Sequence, residues 1–141
     1  MLVDGKNVFN KIDRVRMLWT ARHLWLSGTC FVFNCYRHWS SLVLRNMNGT
    51  AIFLHIKESV TQGDHIAMIV YRIGILPLVK NLKREIPDVT QPWYADDYGA
   101  LGTFTKVETY FDLLTRQGPE QKYYPEPSKS ILIMHMGNGG S

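Results

Sequence analysis

Two adjacent carboxylates, Asp96 and Asp97, stand between two β-rich runs. The stretch Asp88-Val89-Thr90-Gln91-Pro92-Trp93-Tyr94-Ala95 reads as a strand, and Tyr98 to Leu101 reads as its return. Asp96-Asp97 is then the tight turn between them. Neighbouring carboxylates repel, and their pKa values rise unless a cation compensates. Hard divalent cations such as Mg²⁺ take such oxygen ligands and also bind substrate phosphates. The same pair also suits an Asx-type turn that caps a hairpin without any ligand.

The rest of the chain supplies elements to surround that hairpin. Leu2-Val3, with Val8-Phe9, reads as the end of a strand running into a helix. From Asn10 to about Leu26 the apolar positions Ile12, Val15, Leu18, Trp19 and Leu24 approach helical spacing. Ser27-Gly28 is expected to break that run, with a second helix over 29–39. Ser41–Leu44 and Ala51–Leu54 flank Asn46-Met47-Asn48-Gly49, which predicts a second hairpin. A long helix is expected from Gly63 to about Glu85, buried on most faces and kinked at Pro77. Phe104, Val107, Phe111 and Leu114 mark an amphipathic helix, ended by Gly118-Pro119. Ser130-Ile131-Leu132-Ile133-Met134 reads as a buried closing strand. The order β-α-α-β-β-α-β-β-α-β predicts an α+β fold, a mixed and mostly antiparallel sheet with helices packed on one face.

A chain of 141 residues holds one domain and one core, assigned to 1–136, with 137–141 a flexible tail. Residues 1–60 carry eight basic and three acidic side chains, and residues 61–141 carry eight and nine. A basic half joined to an acidic half fits a polyanion-handling surface beside a metal site. Cys30 and Cys35 give neither a disulfide framework nor zinc-ribbon spacing, and read as reduced core thiols of an intracellular protein, cytoplasmic or nuclear. No leader-like segment opens the sequence, and the apolar stretch 66–79 is too short to span a bilayer, so no membrane partner is expected. The five histidines are scattered without an HExxH-like pair. Trp19, Trp25 and Trp39, with Phe31, Phe33 and Tyr36, read as core aromatics, a base-stacking platform being the alternative. Arg14, Arg16, Arg22, Arg37 and Arg45 either face nucleic acid or solvate a helix surface.

One hairpin is a poor metal site by itself, because two-metal phosphoryl transfer draws carboxylates from at least two segments. Asp4, at the end of the first strand, is the candidate from elsewhere. The string Asp4-Gly5-Lys6-Asn7-Val8-Phe9 resembles the first metal-binding motif of reverse transcriptases, a strand-end Asp with an aromatic five positions on. Ser59-Val60-Thr61-Gln62-Gly63-Asp64 resembles the second palm motif, and Tyr94-Ala95-Asp96-Asp97 the aromatic-x-Asp-Asp catalytic hairpin. Gly118 with Pro125-Glu126-Pro127-Ser128-Lys129-Ser130 is similar to the fourth motif. The motifs occur in the family's order and cover nearly the whole chain, and the wording looks close to the palm of retrotransposon polymerases of the non-long-terminal-repeat type.

The resemblance implies a polymerase palm and an RNA-directed DNA polymerase activity. Asp4 and Asp96 would hold two Mg²⁺ ions (or Mn²⁺), with Asp97 contributing more weakly. Phe9 would pack on the deoxyribose, Gln62 and Gly63 would approach phosphate or base from a helix start, and Tyr94 would belong to the nucleotide site. Lys129 would neutralise phosphate charge or act as general acid. The partners would be RNA template, DNA primer and dNTP, together with the fingers and thumb of a longer protein. The alternative is an inactive retroelement relic that at most binds nucleic acid. Two positions depart from the family pattern. Ser59 replaces a Gly, and at a positive φ it would cost about a kcal/mol or more. His65 replaces a Pro that favours helix starts.

Overall fold

Leu2, Val3 and Asp4 form a strand, β1, because Val3 alternates inward between more exposed neighbours. A computed structural model describes residues 1–6, 8–60, 64–94 and 97–134. The chain divides into two compact units, Met1–Lys6 with Leu78–Ser141, and Asn7–Pro77. The protein is α+β, and its strand pairs among the described residues are antiparallel. The expected tail, 137–141, lies outside the described residues.

The first unit holds a three-stranded sheet. Trp93–Tyr94 (β4) and Asp97–Gly99 (β5) pair with each other, and β5 pairs with β1, giving the order β1-β5-β4. Phe104–Gln117 forms a helix (α5) whose buried positions are Val107, Tyr110, Leu113 and Leu114. Phe104 is exposed instead of joining that stripe. Tyr98 of β5 stacks on Trp93 at 4.4 Å and meets Tyr110 of α5 at 6.0 Å, so this helix covers one face of the sheet. The amide of Tyr123 donates to the Gly118 carbonyl at 2.9 Å, which turns the chain back after α5.

The closing strand expected over 130–134 does not form as a buried strand. Only Ile131 bridges to Leu2, and Ile131 to Met134 are exposed. An irregular strap runs along the free edge of β1 in its place. Lys6 N donates to Tyr124 O, Glu126 N to Asp4 O, and Leu2 and Ile131 exchange both bonds, all at 2.8 Å. The strap occupies the backbone groups that an open sheet edge would leave exposed.

The second unit is helical with one hairpin. Val8–Lys11 (α1) and Arg14–Leu24 (α2) are separate because Asp13 caps α2, its Oδ1 accepting from Arg16 N at 3.1 Å. Leu26–Tyr36 (α3) begins earlier than expected. Trp25 makes the break, and Gly28 lies inside the helix. A Cβ at Gly28 would lie 2.2 Å from the Trp25 indole, so glycine is needed for that close approach. Ser40–Arg45 (β2) and Ala51–Ile56 (β3) form the expected hairpin, with Gly49 at φ +81° in its turn.

The long helix α4 spans Ala67–Glu85 and contributes residues to both units. It is amphipathic, not buried on most faces. Ala67, Val70, Tyr71, Ile75, Leu78 and Leu82 are buried at spacings of three, one, four, three and four, whereas Ile69 and Arg72 are exposed. Asp64 sets its entry by accepting from Ile66 N at 3.1 Å, and it also accepts from the Tyr36 hydroxyl. Burial, and then that bond, hold the Tyr36 phenol well above its ordinary pKa.

Cys30 and Cys35 are exposed thiols, contrary to the core reading. Trp19, Phe31, Phe33 and Trp39 are exposed as well, and only Tyr36 of that aromatic group is buried. Apolar spacing in α2 therefore marked its exposed face, and the core reading of the α3 rings holds only for Tyr36.

Candidate active site

Strand register assembles the site. Val3, Tyr98 and Trp93 lie side by side across β1, β5 and β4, and this row turns toward the core. Side chains alternate along strands, so the next row faces the other way. That row is Asp4, Asp97 and Tyr94. Directly opposed residues in an antiparallel pair have Cα atoms about 4.5–5.5 Å apart and share a face. Asp4 and Asp97, ninety-three positions apart in sequence, thus present both carboxylates from one patch of sheet. Tyr94 stands beside them at 71% exposure.

Like charges directly opposed on a sheet are unfavourable. Lys129 offsets this one, with its Nζ 3.3 Å from Asp4 Oδ2. Lys129 ends a short 3₁₀ turn, Pro127–Lys129, that the strap bonds hold against β1. Glu126, just before that turn, faces Lys6 at 3.9 Å and accepts from the Ser128 hydroxyl, which lowers its pKa. Asp4, Asp97, Tyr94 and Lys129 all line one open cavity of about 430 Å³.

The other expected site residues have different settings. Asp96, Gln62 and Gly63 lie outside the described residues. Phe9 is half-buried in the second unit, its ring 4.9 Å from that of Tyr71. Among the described residues no three His, Cys, Asp or Glu side chains cluster in a way that could hold a metal ion. Asp4 and Asp97 form a pair of hard oxygen donors, with Asp96 adjacent in sequence.

Arg14 is the residue that spacing misread. It is buried, at 5% exposure, and is neither solvated nor turned to a polyanion. Its guanidinium donates to Ser59 O through Nε at 3.1 Å and through a terminal nitrogen at 2.9 Å. It also reaches His38 O at 2.8 Å and Glu58 O at 3.1 Å. Desolvation lowers its pKa, and the Tyr36 ring lies 5.8 Å away. Arg14 thereby fixes the loop entering the second motif. Ser59 in that loop has φ +84°, a conformation to which glycine is suited.

No protein-family model matches the sequence, and no curated protein matches it. Among solved structures the fold is similar to an apo telomerase from Candida tropicalis truncated from its C-terminal domain. The likeness has a TM-score of 0.73 at 12% identity, and covers 99% of this chain and 31% of that one. The chain therefore spans about a third of the structure that it resembles. The likeness shows that the two share a fold.

Proposed function

We propose that this chain is the palm core of an RNA-directed DNA polymerase and performs nucleotidyl transfer at Asp4, Asp96 and Asp97. The observation that carries the reading is the register that sets Asp4 directly opposite Asp97. Two sequence motifs that are remote in the chain meet there, as a two-metal site requires. The retrotransposon lineage rests on the wording of the sequence motifs.

The donor set fits Mg²⁺, which binds through one or two carboxylates and keeps water and phosphate oxygens as its other ligands. Asp4 and Asp97, with Asp96, are the residues that would hold it. When bound, such ions lower the pKa of a primer hydroxyl and neutralise charge on the transferred phosphoryl group. The protein's own contributions are positional. The sheet keeps the carboxylates on one face, and the cavity leaves room beside them for a nucleotide. Lys129, 3.3 Å from Asp4, is assigned to neutralise phosphate charge or to give a proton to the leaving group, and its nearness to Asp4 supports that assignment. Phe9, Gln62, Gly63 and Tyr94 are assigned to nucleotide and template on the strength of the motifs.

A second reading, an inactive relic that retains nucleic-acid binding, is favoured by Ser59, a strained substitution in the second motif. Divalent-cation titration tests the metal site. Mn²⁺ binding followed by electron paramagnetic resonance is expected to weaken at least tenfold in Asp4→Asn and Asp97→Asn. Equal binding in both variants and the parent would overturn the assignment.

A further inference from the structure

The second unit carries a feature that the candidate active site does not use. Val15, Leu18, Trp19 and Arg22 recur at spacings of three, one and three, on one side of α2. Met17 and Ala21, on its other side, are buried. Cys30, Phe33 and Arg37 do the same along and just beyond α3, away from buried Val32 and Tyr36. The two outer faces together line an open groove of about 500 Å³.

The chemistry of the groove is specific. Trp19 is 62% exposed and Phe33 46% exposed, so both rings offer flat apolar surface to solvent. The Arg37 guanidinium lies over the Phe33 ring at 5.7 Å. Arg22 is the second cation, and no Asp or Glu lines the groove. Neither arginine pairs with a carboxylate among the described residues. Exposed rings flanked by unpaired guanidinium groups suit a polyanion that itself carries flat aromatic faces. Bases stack on rings whatever their sequence, and arginines track the phosphates.

We propose that the groove between α2 and α3 binds single-stranded nucleic acid, with bases stacked on Trp19 and Phe33 and phosphates held by Arg22 and Arg37. This site draws on the second unit alone and needs no divalent cation. It therefore stands or falls separately from the metal site at Asp4 and Asp97.

The test uses the full chain with fluorescein-labelled twelve-nucleotide dT and rU strands, in EDTA, followed by anisotropy. Trp19→Ala is expected to weaken binding about fivefold or more, the lower end of one lost stacking contact. Trp19→Phe, which keeps a ring, should stay within about twofold of the parent. Arg22→Ala with Arg37→Ala should flatten the dependence of affinity on salt, because fewer counterions are released. Cys30 gives a readout that needs no mutation at the site. Its alkylation should slow severalfold when the strand is bound, while that of Cys35 stays constant. Parent-like affinity in both Trp19→Ala and the double arginine variant would overturn the proposal. So would strand binding that leaves Cys30 as reactive as before. Binding that Trp19→Ala removes only for an acidic peptide or anionic vesicles, or self-association as the sole property it alters, would also overturn it.

Discussion

Ser59→Gly should stabilise this protein, although it deletes atoms from a buried position. Ser59 is held at φ +84°, where a side chain crowds the backbone. The loop has no easy escape from that conformation. Ser59 N donates to Ile12 O at 3.3 Å, and its carbonyl takes two bonds from Arg14 at 3.1 and 2.9 Å. A non-glycine residue in left-handed backbone costs about 1–2 kcal/mol. Glycine returns part of that gain, about 0.5–1 kcal/mol, through the greater freedom of the unfolded chain. The net expectation is a gain of about 0.5–1 kcal/mol, or about 2–4 °C in Tm for a chain of this size. Urea and thermal denaturation measure it, with Ser59→Ala as the control. Alanine keeps the Cβ and therefore the strain, so it should give no gain. If Ser59→Ala matched Ser59→Gly, or if glycine lowered Tm, the strain argument would be wrong.

The remaining predictions concern the supports of the two units and the candidate site. Arg14→Met should destabilise by about 3 kcal/mol or more in urea unfolding, because three carbonyl acceptors lose a charged donor and stay buried. Tyr98→Phe should be neutral or stabilising by up to about 1 kcal/mol, since the Tyr98 hydroxyl is buried without a hydrogen-bond partner among the described residues. A loss of stability would reveal a partner for that hydroxyl. Burial raises the pKa of Tyr36, Tyr98 and Tyr110 in the folded state. Their contribution is therefore complete below about pH 10, the unfolded value, and is lost as pH rises beyond it. Absorbance titration at 295 nm should show these phenols ionising together with unfolding. Lys129→Ala should tighten Mn²⁺ binding about two- to fivefold, the size of a surface ion pair that no longer competes for Asp4. Weaker binding would show that Lys129 supports the ion instead.

Local signals in the sequence predicted the local features well. Asn46 to Gly49 announced the hairpin, because only a turn with positive φ joins two such runs, and Gly49 has it. The runs 88–95 and 98–101 announced two paired strands, but the strands are shorter, and Asp97, read as part of the turn, is the first residue of β5. The strain at Ser59 followed from one substitution in one motif, and φ at that residue agrees. The misreadings came where tertiary contacts decide. Arg14 is charged and yet buried, because three carbonyls converge on it from two segments more than twenty residues away, His38 and Glu58-Ser59. Nothing near Arg14 in sequence signals those acceptors. The periodicity of α2 was real, but apolar residues occupy both of its faces, and spacing cannot say which one is covered. The run 130–134 has strand composition, yet its bonds to β1 stop at Ile131, so composition outran pairing. For the site, the motifs named Asp4 and Asp97, and only the register showed them opposed across two strands.

The central claim is that Asp4 and Asp97, opposed across β1 and β5, belong to a polymerase site. Primer extension on an RNA template, with dNTPs and Mg²⁺, tests it most directly. The account predicts extension that depends on both dNTPs and Mg²⁺ and is abolished in Asp4→Asn, Asp97→Asn and Asp96→Asn. Extension that persists in Asp4→Asn and Asp97→Asn, or cleavage products without extension, would contradict it.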